Sequence, residues 1–236
     1  MMKIRILAGV VLCLLLSGLT AHAYKTGDSQ IWLNAGASGS LGEPIKLSLG
    51  EQWRIGDDAS ELYYMQTELK ATYKVVNWLS LIAGYTEASS RVSKPVYDAA
   101  GNETRDDYWS SEHRPFAGVS FSGSFSGWKV SDRIQAEYRM KDAVQDYFRY
   151  RNQVKVVAPW KWTALKIQPN AYYEAFLSKL PDDVEWTWVR QRISAGVSMS
   201  FTDVLKGNLY YLKQLDWTSS DWREYNIFGV SVSASF

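Results

Sequence analysis

The residues able to do chemistry in this chain are mostly charges, because the usual catalytic and metal-binding types are scarce. In 236 residues there are two histidines, His22 and His113, and one cysteine, Cys13. His113 has Ser110, Ser111, Asp106 and Asp107 close by in sequence, the residue types of a hydrolytic triad. A triad needs a base oriented by a third group and a nucleophile within hydrogen-bond reach, and adjacency along a chain supplies neither. The acidic residues Asp98, Glu103, Asp106 and Asp107 lack the spacing of a calcium loop. The expectation is therefore no catalytic residue, no metal and no cofactor.

The charges that remain are patterned. Glu68, Glu112, Arg114, Arg133, Glu137, Arg139, Arg149, Arg151, Glu174, Arg190 and Arg192 recur at even spacings within segments whose intervening residues are apolar. Acids and arginines gathered on one surface can pair with each other or pass anions. Which of the two depends on the elements that carry them.

Those elements read as strands. Period two fits the chain far better than 3.6. Tyr63, Met65, Leu69, Ala71, Tyr73 and Val75 lie on one face of a strand, with Gln66, Glu68, Lys70 and Lys74 on the other. The same division recurs at 79–86, 117–125, 133–140, 148–156, 165–175, 189–201 and 228–236, and more weakly at 30–41, 45–55 and 207–217. Eleven candidate strands result, many long enough to cross a bilayer obliquely, for which about 9 to 11 residues are needed. Short links are expected near 77–78, 126–127, 159–160 and 202–203. Longer polar loops are expected near 56–60, 87–111, 141–145, 178–185 and 218–223, an asymmetry typical of outer-membrane barrels. Residues 98–102 could turn a hairpin, and Pro169 is expected to produce a bulge.

The first 23 residues have the form of a secretory leader. Lys3 and Arg5 precede an apolar run over 6–19, and Ala21-His22-Ala23 is a cleavage pattern. The expected division is a signal peptide over 1–23 and one barrel over 24–236. Cys13 leaves with the leader and does not follow the cut, so no lipid-modified amino terminus is expected. The mature balance of 24 basic to 25 acidic residues offers no excess for nucleic acid.

Alternation alone does not say whether the apolar face points inward, as in a soluble barrel, or out into lipid. The tryptophans favour lipid. Trp78, Trp128, Trp160 and Trp162 fall beside the short links, and Trp53, Trp109, Trp186, Trp188, Trp217 and Trp222 beside the longer ones. Trp32, near the amino terminus, completes the 11. Two aromatic girdles are what indoles form at two membrane interfaces. The chain ends on an alternating strand, with Phe228, Val230, Val232 and Phe236 on its apolar face, like the terminal signal by which outer-membrane barrels are recognised for assembly.

The stretches 62–85 (LYYMQTELKATYKVVNWLSLIAGY), 112–115 (EHRP), 133–139 (RIQAEYR), 147–154 (YFRYRNQV), 169–176 (PNAYYEAF) and 189–196 (VRQRISAG), in this order, resemble a family of bacterial outer-membrane barrels catalogued as domain of unknown function 2490. The resemblance implies an outer-membrane barrel and no particular activity. Residues 51–54 (EQWR) depart from the Glu-and-Arg pattern of that strand.

The expected fold is thus all-β, an antiparallel transmembrane barrel of about 10 to 12 strands. Hairpin arithmetic places Glu137 opposite Arg149 and, for a loop centred near Pro181 and Asp182, Glu174 opposite Arg190. Two functional classes stand. One is a structural or narrow-channel envelope barrel with a charge-paired lumen, which is favoured because small barrels fill with their own side chains. The other is an outer-membrane barrel enzyme acting on lipid A, phospholipid or peptide through His113. Expected partners are outer-membrane lipids, lipopolysaccharide and the barrel-assembly machinery, with the chain itself a monomer.

Overall fold

The computed structural model describes residues 26–97, 103–142, 144–179, 185–218 and 220–236. The expected leader with its cleavage point, and the turn expected at 98–102, lie outside the described residues. Eleven strands follow one another: β1 (Asp28–Ser40), β2 (Ile45–Gly56), β3 (Glu61–Val76), β4 (Leu79–Tyr97), β5 (Glu103–Phe125), β6 (Trp128–Lys141), β7 (Val144–Val157), β8 (Gln168–Lys179), β9 (Thr187–Ser200), β10 (Leu205–Trp217) and β11 (Trp222–Ser235). They form one closed barrel in which each strand pairs with its neighbours in sequence and β1 pairs with β11. No helix occurs among the described residues.

Eleven is odd, so the closing pair cannot be antiparallel. β1 and β11 run in the same direction and pair from Asp28 with Tyr225 to Ser38 with Ser235. The first segment is therefore a full strand, and the even count usual in bacterial barrels does not hold. The remaining pairs are antiparallel.

Period-two sequence produces an inverted solid. Ile193, Leu69 and Phe228 are 62%, 55% and 59% exposed on the outer wall, while Glu137, Glu174, Gln135 and Arg149 are buried inside. A small apolar cluster of Trp32, Leu212, Tyr225 and Ile227, with Tyr172 and Tyr210 against it, fills the lumen beside the β1–β11 seam.

The connections differ from expectation. Residues 87–97 and 103–111 are paired strand, extending the β4–β5 hairpin from Glu87 opposite His113 to Tyr97 opposite Glu103. Polar side chains disguise this, yet antiparallel pairing satisfies the backbone whatever the side chains are. At 126–127 the β5–β6 turn has positive φ at both Ser126 (49°) and Gly127 (82°), the mirror-image turn that matches strand twist. The expected short link near Pro159 and Trp160 is instead a longer connection over 158–167, and the link at 142–143 is short, so loop length does not separate the two ends. Pro169 makes no bulge: it pairs regularly with Val197. Its missing N–H is replaced, because the Gln168 side-chain amide donates to the Ala158 carbonyl at 2.5 Å while Ala158 N–H donates to Pro169 O at 2.9 Å.

Candidate functional site

The charges expected to face inward do so, on β3 (Glu68), β5 (Glu112, Arg114), β6 (Arg133, Glu137, Arg139), β7 (Arg149, Arg151), β8 (Glu174) and β9 (Arg190, Arg192). Three carboxylates organise them. Glu112 accepts from Arg114 Nη2 at 2.6 Å and from Arg139 through Nη2 at 2.8 Å and through a second contact at Nε. Glu137, 3% exposed, accepts from Arg149 at 2.8 and 2.5 Å and from Arg151 at 3.1 Å. Glu174, 1% exposed, accepts from Arg151 at 2.6 and 3.0 Å, Arg133 at 3.2 Å and Arg192 at 3.2 Å. Glu68 stands apart, bridged to Lys70 at 3.2 Å on its own strand.

Arg151 links two of these centres, so Glu137 and Glu174 belong to one network spanning four strands. Its arginines crowd together, which like charges resist. Phe176 relieves part of the conflict: this fully buried ring has the guanidinium carbons of Arg149, Arg151, Arg190 and Arg192 between 4.9 and 5.9 Å of its centroid.

Glu137 lies opposite Arg149 in the β6–β7 register. Glu174 lies opposite Arg192, not Arg190. The register shifts between Phe176 and Leu177, because Val189 is skipped in the pairing, and this moves Arg190 opposite Phe176. Arg190 turns to β10, where it holds Asp216 with two 2.6 Å bonds.

His113 sits on the outer face of β5, where Nδ1 shares a 2.5 Å hydrogen bond with the Tyr85 hydroxyl. Ser110 is buried on the opposite face, Ser111 N–H donates to Asp142, and Asp107 is engaged by Arg91. Among the described residues no hydrogen bond joins His113 to Ser110, Ser111, Asp106 or Asp107. Tyr63, grouped by alternation with the outer face, lines the lumen instead, since Ile55 pairs with Leu62 and Arg54 with Tyr64, leaving Tyr63 as the extra residue.

The tryptophans form clusters at both ends. At the Phe236 end, Trp128 meets Trp160 edge-on at 5.3 Å, Trp160 stacks on Trp162 at 6.4 Å, and Trp78 stacks on Phe121 at 6.2 Å. At the other end Trp217 meets Trp222 at 5.3 Å and Trp186 meets Tyr150 at 4.6 Å, with Trp109 and Trp188 also exposed and Trp53 half-buried. Trp32 is the exception, buried inside the barrel. Phe228 and Val232 are exposed on the outer face of β11 and Val230 is half-buried; Phe236 is exposed, its N–H held by Ser38 O at 2.9 Å.

Around the network runs a lumen cavity of about 540 Å³. Its wall includes residues that alternation did not single out: Arg54, Lys141, Lys155, Gln214, Asp216 and Tyr210. Arg54 and Asp216 were legible in principle, since each lies on the even, polar side of its strand.

A family model described as "Protein of unknown function (DUF2490)" matches residues 29–225. An uncharacterized protein of Methylorubrum extorquens is 30% identical over 177 residues, covering 74% of this chain and 71% of that one. Among solved structures, the β domain of the Bordetella autotransporter BrkA has a TM-score of 0.49 at 11% identity, covering 81% of this chain and 82% of that one. LpxR from Salmonella typhimurium has a TM-score of 0.47 at 10% identity, covering 81% and 83%. The family match spans most of the barrel, from β1 into β11, and on it this chain belongs to the DUF2490 family.

Proposed function

We propose that the chain is an outer-membrane barrel whose lumen is held narrow by its own ion pairs, a structural or narrow-channel envelope protein and not an enzyme. The observation that carries this is the network on Glu137 and Glu174, which draws arginines from β6, β7 and β9 into the lumen. Such a network suits a wall that keeps its shape. An open pore would leave its charges solvated and unpaired.

The outer wall supports membrane insertion. Its apolar residues are on the outside, and burying them in water-free surroundings contributes roughly 25 cal/mol per Å². The 14 residues of β11, at about 3.3 Å each and a tilt near 40°, rise about 35 Å, enough for the ~25 Å apolar band and its interfaces. Aromatic clusters at both ends fit the two interfaces. In this reading the Phe236 end faces the periplasm, lipid and lipopolysaccharide contact the outer wall, and the assembly machinery reads Phe228, Val230, Val232 and Phe236 after removal of residues 1–23.

Planar-bilayer recording tests the proposal. The purified barrel should conduct weakly. Arg149→Ala with Arg192→Ala removes two large lumen side chains and should raise single-channel conductance while lowering the temperature of the heat-induced gel shift. Large wild-type conductance, unchanged in the double variant, would overturn it.

A further inference from the structure

The lumen is not charge-balanced. Nine cationic and four anionic side chains line the cavity. Glu137 lies buried behind this wall and offsets one of them. The carboxylates are all engaged by other groups: Glu112 by Arg114 and Arg139, Glu174 by three arginines, Asp216 by Arg190 and Glu68 by Lys70. Among the described residues no carboxylate bridges Arg54.

Arg54 is nevertheless fixed. Its guanidinium carbon lies 4.0 Å from the ring centroids of both Trp32 and Tyr64, its cross-strand neighbours on β1 and β3. Its Nε donates to Gln52 Oε1 at 2.7 Å. Gln52 donates in turn to Asn34 Oδ1 at 2.7 Å, and Asn34 to the Tyr210 hydroxyl at 3.0 Å. Each of these partners is neutral, so none of them offsets the guanidinium's charge. Among the described residues its terminal nitrogens make no hydrogen bond, Arg54 lines the cavity, and a guanidinium clamped between two rings is already oriented for bidentate contact with an oxyanion.

We propose that the lumen is a binding site for a small oxyanion-bearing solute, with Arg54 as its anchor. Phosphate, sulfate and carboxylate groups share the geometry that a guanidinium fork meets. The cavity volume falls within the range of small-molecule sites. A closed wall of strands separates Arg54 from the outer face, so the ligand arrives from water and not as a lipid headgroup. The site lies two residues from the end of β2 remote from Phe236, which places it near the mouth of the lumen at that end. This inference does not require the lumen to conduct.

The test is calorimetric titration of the folded full barrel in uncharged detergent micelles with inorganic pyrophosphate, at constant low ionic strength. The wild type should bind with one-site stoichiometry. Arg54→Gln, which keeps neutral contacts and is checked for folding by its heat-induced gel shift, should weaken binding at least tenfold. Arg54→Lys, retaining charge without the fork, should fall between the two. Lys155→Gln, a lumen cation on β7, should change affinity less than threefold. A short-chain phosphatidic acid in the same micelles should compete no better than inorganic phosphate. No wild-type binding up to 10 mM pyrophosphate, equal affinity in Arg54→Gln, a larger loss in Lys155→Gln, or stronger competition by the lipid would each overturn the proposal.

Discussion

Glu174→Gln is the sharpest probe of the lumen network. The substitution conserves volume but removes the charge on which three guanidiniums converge, at 2.6 Å for Arg151 and 3.2 Å for both Arg133 and Arg192. Stripping one partner from a buried ion pair costs about 3 to 5 kcal/mol. The lower end applies here, because Arg151 keeps Glu137 and Arg192 keeps Gln214, while Arg133 has no second carboxylate among the described bridges. Urea titration of the barrel in micelles, followed by tryptophan fluorescence, should therefore show a loss of about 3 kcal/mol. Adding Arg133→Met to Glu174→Gln should restore part of that loss, since it removes the cation left without a partner. Arg91→Gln, in the half-exposed Glu61–Arg91–Asp107 cluster across β3, β4 and β5, should leave the transition where it was. A loss below about 0.5 kcal/mol for Glu174→Gln, the scale of a solvated pair, would refute the reasoning.

Other substitutions probe wall, assembly and processing. A Cβ on Gly118 would lie 2.2 Å from the Ile134 carbonyl oxygen and 2.9 Å from Gln135 Cα, both backbone, so Gly118→Ala should force β5 from β6 and destabilise by about 1 to 3 kcal/mol in the same titration. Deleting Phe236 should reduce the amount of assembled barrel in outer-membrane fractions while purified truncated chain still refolds in detergent; normal insertion in cells would count against its recognition role. Amino-terminal sequencing of the membrane-inserted protein should begin at Tyr24, and a mature species retaining Lys3 and Arg5 would show that the leader is not removed.

Much of the architecture was legible because period two is a local signal. Glu137 and Arg149 could be placed opposite one another from hairpin arithmetic alone, since the short β6–β7 link leaves little latitude in where the hairpin centres, even with the register shift between Arg139 and Lys141. The partner of Glu174 could not, because it depends both on where the longer β8–β9 connection centres and on a one-residue register shift at Val189. Tyr63 was misplaced by a register shift of the same kind. Residues 87–97 and 103–111 read as loop because their side chains are polar, although the backbone pairing that makes them strand carries no hydropathy signature. Trp32, Leu212 and Ile227 show the opposite problem: apolar residues turned inward break the rule that served elsewhere, and only the closed barrel reveals that they pack together. The parallel β1–β11 closure was also beyond reach, since it joins the two ends of the chain.

If lipid surrounds the apolar wall and water reaches only the lumen, adjacent single cysteines on β11 should sample two different solvents. The sequence's one cysteine, Cys13, precedes β1, so the barrel strands supply a clean background. Ser231 lines the cavity, and Val232, the next residue, is exposed on the outer face. Spin labels on Ser231→Cys and Val232→Cys, in barrels reconstituted into vesicles, should respond oppositely: the first relaxed by a water-soluble nickel chelate, the second by oxygen dissolved in lipid. Equal access of the nickel chelate to both positions would mean that the apolar wall does not lie in lipid.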